Sequence, residues 1–215
     1  MPVGIEAWIA EIPPVTRAWL ALSVTISIVV QCQFVTSLQL YFSFRSAFLN
    51  LQPWRAVTTF LYFGPMSRDF LFHLFFTVRY SRILEESSFA NKQADYLWLL
   101  LQSAVLLLVV SPLFSLPYLS HPLAFVPIYV WARQHPSTQV SVFGLATVTA
   151  PYFPFALVLF SWITNGTWRA DLAGCIVGHV VWFLKDVWSR EAFGGIGWYT
   201  NAPAPMRRWF GQAEA

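Results

Sequence analysis

The chain has 215 residues, of which 57% are hydrophobic, 18% aromatic and only 11% charged, with a formal net charge of +3. Soluble domains carry about 25% charged residues, so this composition excludes a separate water-soluble domain and points to a polytopic membrane protein. The small, scattered positive charge fits a cytosolic-side lysine and arginine bias rather than a nucleic-acid patch.

Residues 1–15 set Ile5, Ala7, Trp8, Ile9 and Ile12 among Glu6 and Glu11, the pattern of a short amphipathic element on a membrane surface, ended by Pro13-Pro14. Arg17 is the only basic residue before the first apolar run and no Ala-x-Ala site closes it, so a retained anchor is expected rather than a cleaved signal. The first span is predicted over Ala18 to Leu40, uncharged but carrying Gln31, Gln33 and Gln39. Residues 41–67 are too apolar for a water-exposed loop and read as a membrane-embedded or interfacial loop with one or two short helices. At its centre Trp54-Arg55 places a guanidinium among aromatics, which suits either an interfacial anchor or a structural latch.

The second span is predicted over Asp69 to Leu84, with Arg79 and Arg82 followed by Glu85 and Glu86 at spacings that allow intrahelical pairs on a solvated helix end. The third, Tyr96 to Leu116, starts at Asp95, read as a helix-starting residue. The fourth, Leu119 to Ala132, is short and expected to be broken by Pro122 and Pro127. Residues 137–150 are β-branched and read as an extended segment at the interface. The fifth span, Pro151 to Thr164, is again short, and the sixth runs from Trp168 to Val187. About 14 residues of helix cover roughly 21 Å, against a hydrocarbon core of about 30 Å, so a locally thinned bilayer is expected beside the fourth and fifth spans. The domain division is a transmembrane domain over 1–190 and a short cytosolic tail over 191–215, expected to lack order beyond Trp198.

Six spans put both termini on one side. With the N-terminus inside, the far side receives only Arg45, Arg55, Arg68 and Arg169 of the 13 lysines and arginines, so the positive-inside rule places both termini in the cytosol. The Asn165-Gly166-Thr167 sequon then lies on the far side, so close to the membrane that it is expected to be unused.

Few residues suggest chemistry. Cys32 and Cys175 lie in apolar spans and read as small buried hydrophobes. Gly174 and Gly178 form a GxxxG pair that allows close helix approach. His179 reads as a packing or hydrogen-bonding group, and Asp171 as a carboxylate at a helix N-terminus. The four histidines His73, His121, His135 and His179 share no metal-ligand spacing, and neither a phosphate loop nor a dinucleotide fingerprint is present, so no cofactor is expected. A serine protease needs a nucleophile turn in the fourth span, but no serine or glycine lies between Pro122 and Ala132, with Ser120 at the edge. A small-solute channel or transporter would show inverted repeats and mid-membrane charges, which are not evident.

Taken in order, Ile12-Pro13-Pro14-Val15-Thr16-Arg17, Trp54-Arg55 with Thr58-Thr59-Phe60-Leu61-Tyr62-Phe63-Gly64, and Tyr80-Ser81-Arg82 with Leu84-Glu85 resemble the Derlin family of rhomboid pseudoproteases. Ala94-Asp95-Tyr96, Tyr129-Val130-Trp131 with Arg133, Ala150-Pro151-Tyr152 and Asp171-Leu172-Ala173-Gly174 leading to Gly178-His179 continue the likeness across nearly the whole chain. The resemblance implies an all-α membrane protein with a six-helix rhomboid-like fold and an embedded first loop, in which Trp54-Arg55 acts as a latch. It also implies no enzyme activity: the rhomboid base, three residues before the GxxxG, falls on Asp171, and His179 lies after it. The implied role is retrotranslocation of misfolded proteins in endoplasmic reticulum-associated degradation, through a lateral groove between the second and fifth spans. The implied partners are misfolded substrates, a membrane-embedded RING ubiquitin ligase with its lumenal and scaffold subunits, and the endoplasmic reticulum bilayer itself. The tail Trp209 to Ala215 lacks the Gly-rich box by which some members recruit a cytosolic AAA ATPase, so contact with that ATPase is expected to be indirect.

Overall fold

The computed structural model describes residues 10–43, 46–47, 51–142, 146–164, 167–188 and 201–212. The expectations for residues 1–9 and for the Asn165 sequon fall largely outside these. In chain order come α1 (Pro14–Gln31), the short α2 (Ser37–Leu40) and α3 (Arg55–Thr58), then α4 (Arg68–Ser87), α5 (Gln93–Phe114) and α6 (Ser120–Gln134). A hairpin of β1 (Gln139–Val142) and β2 (Ala146–Thr149) follows, then α7 (Phe153–Thr164), α8 (Trp168–Trp182) with a π-helical extension over Phe183–Trp188, and α9 (Ala204–Trp209). By length and composition, α1 and α5 can each cross a membrane.

Local chemistry explains most boundaries. Pro14 at the first position of α1 needs no hydrogen-bond acceptor for a backbone N–H it does not have. Ser67 caps α4 by accepting from the Phe70 N–H at 3.3 Å. The first span stops earlier than expected, at Gln31, because Gln33 adopts a left-handed φ of 61° that turns the chain. Cys32, at that turn, is exposed, whereas Cys175 is buried.

The fourth span is not broken. Pro122 sits in the first turn of α6, where an N–H would have no intrahelical partner, and Pro127 lies inside a helix that continues through it. Neighbours hold α6 in place: 12 of its 15 residues are buried, so the helix is surrounded by protein rather than by solvent or lipid. It packs against α8, α4, α5 and α7, whereas α4 and α7 pack little on each other. The residues expected to be extended form an antiparallel hairpin in which Val140 faces Val148, a small departure from an all-helical fold.

At one end of the bundle, a buried carboxylate joins three distant segments. Glu85 accepts from the Val15 N–H (3.1 Å), the Thr16 N–H (2.9 Å) and the Thr16 hydroxyl (2.7 Å). Thr16 in turn shares a hydrogen bond with Ser81, which shares another with Tyr96. The carboxylate thus satisfies free N–H groups at the start of α1 from a different helix and complements its dipole. Of the expected pairs within α4, Arg82 bridges Glu86 at 2.7 Å, while Glu85 is taken up by α1.

Asp95 does not cap α5, whose N-cap is Lys92. It accepts instead from the Ala202 N–H at 2.7 Å, and Arg207 of α9 stands 3.9 Å away. Part of the tail beyond Trp198 is therefore ordered, over 201–212, and docks on the start of α5.

Replacing Glu85 by alanine strands the N–H groups of α1. The expected loss is about 2–4 kcal/mol, read as a lowered unfolding midpoint of the purified protein in detergent, with Glu85→Gln losing less.

Candidate functional site

The first loop is held from within. Arg55, at the start of α3, donates through Nε to Gln52 Oε1 (2.6 Å) and through Nη1 to the carbonyls of Leu38 (2.8 Å) and Tyr41 (3.0 Å). Its fork therefore gathers the end of α2 and the turn before α3, using the rigid donor geometry that distinguishes Arg from Lys. Trp54 beside it is 54% exposed, so the pair divides its work: Arg55 latches and Trp54 faces outward.

The loop is also hung from the α5–α6 turn. The Leu119 N–H donates to the Thr59 carbonyl (3.1 Å) and the Ser120 hydroxyl to the Tyr62 carbonyl (2.6 Å). Phe42 N–H reaches the Pro117 carbonyl at 3.3 Å and Tyr118 the Ser37 carbonyl at 3.0 Å.

Gly174 and Gly178 face α6 directly. A Cβ on Gly174 would stand 2.5 Å from the Pro122 carbonyl oxygen and 2.6 Å from Phe125 Cβ, and one on Gly178 would stand 2.9 Å from Tyr129 Cβ. Directly after Gly178, His179 Nδ1 and the Tyr129 hydroxyl share a hydrogen bond of 2.8 Å, and the His179 ring also lies against Trp182. His179 thus holds the α6–α8 seam.

Asp171 stands in the first turn of α8 and points into the bundle. It is 1% exposed, and its Oδ1 has no hydrogen-bond partner. The small cavity it meets, about 50 Å³, is lined also by His73, His121 and Ser161. The His73 and His121 rings meet edge-on at 4.2 Å, a pairing across two helices that linear spacing could not reveal. A second cavity of about 310 Å³ opens between α4, α6, α7 and β1, with Arg79, Tyr80, Thr138, Gln139 and Ser141 among apolar walls. Both spaces lie where α4 and α7 rest on α6 without closing on each other.

Sequence reasoning missed the Glu85 cluster and the Asp95 dock. Thr16, Ser81, Glu85 and Tyr96 nevertheless all fall in the segments that carry the family resemblance, and polar residues at the edges of apolar spans were the available signal.

Apolar helices around a largely enclosed central one, with short polar ties at their ends, define an integral membrane protein. The chain belongs to the Der1-like family, whose profile matches residues 12–199. It is 36% identical to Derlin-2.2 of Zea mays over 201 residues, covering 88% of this chain and 81% of that protein. Derlin-2.2 of Arabidopsis thaliana is 37% identical over 88% of this chain and 82% of its own length. A probable derlin-2 homolog of Dictyostelium discoideum is 34% identical over 87% and 77%.

Two outcomes follow for the latch and the seam. Arg55→Ala removes charge-assisted bonds to two carbonyls and should cost about 1.5–3 kcal/mol, seen as faster proteolysis within residues 41–67. Gly174→Ala overpacks the seam and should cost about 1–3 kcal/mol or more, with Gly178→Ala milder, since its nearest neighbour is farther; unfolding midpoints in detergent give the order.

Proposed function

We propose that this chain is a non-catalytic retrotranslocation factor of endoplasmic reticulum-associated degradation. Membership of the Der1-like family supports the pathway. The observation that carries the mechanism is the separation of α4 from α7. Both lean on α6, and the space between them holds polar groups of β1 and the Arg79 side chain within an otherwise apolar surround. Such a groove lowers the cost of passing polar backbone, because each unsatisfied group in hydrocarbon costs several kcal/mol.

In this reading the six long helices cross the membrane in a rhomboid-like order, with both termini cytosolic. The 12-residue α7 rises about 18 Å, short of a hydrocarbon core of about 30 Å, so the bilayer thins beside the groove. The Arg55 latch and its ties to the α5–α6 turn keep the first loop seated at the lumenal mouth. A membrane-embedded RING ligase with its lumenal and scaffold subunits receives the substrate, and a cytosolic AAA ATPase acts through that complex. The use of the Ser120 hydroxyl on the Tyr62 carbonyl supports a structural rather than nucleophilic serine. Labelling of the purified protein by an active-site serine probe would reverse that view.

A photocrosslinking residue at Phe76 on α4 or Leu157 on α7 should capture a misfolded substrate during its degradation, while one at the exposed Val105 on α5 should not. Absence of crosslinks at both groove positions, in cells where the ligase still co-purifies, would sink the groove mechanism.

A further inference from the structure

The cavity of about 50 Å³ between α4, α6, α7 and α8 is lined by a carboxylate with one oxygen left unpaired. Asp171 is buried, and its Oδ1 has no hydrogen-bond partner. The neighbour that hydrogen-bonds the carboxyl is Ser161, which also shares a hydrogen bond of 2.7 Å with Thr167. The first turn of α8 favours negative charge at this position, yet supplies no bond to Oδ1. No lysine or arginine lines the cavity, and the ion pairs among the described residues are those of Arg82 and Arg207. Buried charges are ordinarily paired, so what this cavity lacks is a cation.

Its walls suit a compact organic cation. Phe72, Phe76 and Phe160 line the space together with the carboxylate, and aromatic faces attract an ammonium group. The His73 and His121 rings meet edge-on at 4.2 Å and add nitrogen acceptors when neutral. Among the described residues no three His, Cys, Asp or Glu side chains converge as a metal site. The volume holds only a few heavy atoms, at about 10–15 Å³ each, enough for a primary ammonium and its last methylene. On the side of the first loop, Phe63 is buried and meets the His121 ring at 5.5 Å. Entry is therefore lateral, between α4 and α7, where Phe72 is 41% exposed. A group arriving from that side comes from within the membrane, where a lysine without a partner is costly.

We propose that this cavity receives the ammonium group of a lysine on a membrane-spanning segment of a degradation substrate, with Asp171 as its acceptor and Phe72 at the mouth. The inference rests on the retrotranslocation reading for the identity of that segment. It names the substrates the groove favours: membrane proteins whose intramembrane lysine has no partner.

The test is binding, read without ligase or ATPase. The full chain is reconstituted in phosphatidylcholine nanodiscs with a fluorescent leucine–alanine helix of spanning length that carries one lysine about one turn from its end. Energy transfer to a dye on the chain reports association. The lysine helix should bind about tenfold tighter than the same helix with leucine or glutamine at that place, the worth of one charge-assisted hydrogen bond. Asp171→Asn should remove the preference, and Phe72→Leu, at an exposed position, should reduce it about threefold. Glu86→Gln, at the opposite end of α4, should leave it intact. Phe72→Leu decides the matter if Asp171→Asn does not elute as a single species. Equal binding of the three helices by the wild type overturns the proposal, as does an unchanged preference in either folded variant. Loss of the preference when phosphatidylethanolamine replaces half of the phosphatidylcholine would also overturn it, because the cavity would then serve a lipid ammonium. Groove crosslinks at Phe76 with a lysine-free substrate, alongside equal binding of the three helices, would reject this site and leave the retrotranslocation reading standing.

Discussion

The contact between α6 and α8 is the constraint on which the other placements rest. At Gly174 the backbone of α8 lies so near Pro122 and Phe125 that no side chain fits between them, and Gly178 repeats the contact against Tyr129 one turn on. Without a hydrophobic driving force between helices in lipid, such close approach and its dispersion contacts carry the association. With α8 seated, α6 is covered on that side, and α4, α5 and α7 take up its remaining faces. The same seam aims Asp171 at the His73 and His121 cavity and brings His179 to Tyr129.

Polar ties then secure the two ends. At one end Glu85, Thr16, Ser81 and Tyr96 form a buried chain of hydrogen bonds between α1, α4 and α5. At the other, the Arg55 latch and the Ser120 and Leu119 bonds fix the first loop to the α5–α6 turn. The middle of the bundle between α4 and α7 holds the two cavities described above. In the proposed mechanism, rigid ends leave the flank to admit a chain while the frame keeps its shape.

Hydropathy made α4, α5 and α8 legible, because the apolar runs from Asp69, after Tyr96 and from Trp168 act locally. The extended segment after α6 was readable from its β-branched residues, though not its pairing. The end of α1 was not, since the left-handed turn at Gln33 uses neither Gly nor Pro. The prolines of α6 misled for a related reason: whether a proline breaks a helix depends on its position and on what surrounds it, and the burial of α6 is a tertiary fact. At the candidate site, Trp54-Arg55 and the glycine pair stood out by residue type. Their partners, the Leu38 and Tyr41 carbonyls that accept from Arg55 in one case and the Pro122 and Phe125 atoms against Gly174 in the other, lie elsewhere in the sequence and could not be named. Glu85 read as a solvated helix-end charge because the backbone it caps lies on another helix.

That last separation bears on how the protein is made. Val15 and its cap Glu85 are 70 residues apart. At synthesis rates of about 5–20 residues per second, Val15 is made on the order of 4–14 s before the group that satisfies its N–H. During that interval the start of the first helix must stay hydrated or be shielded by the insertion machinery. Until α4 arrives, the first turn of the amino-terminal helix lacks the carboxylate that caps it in the finished fold.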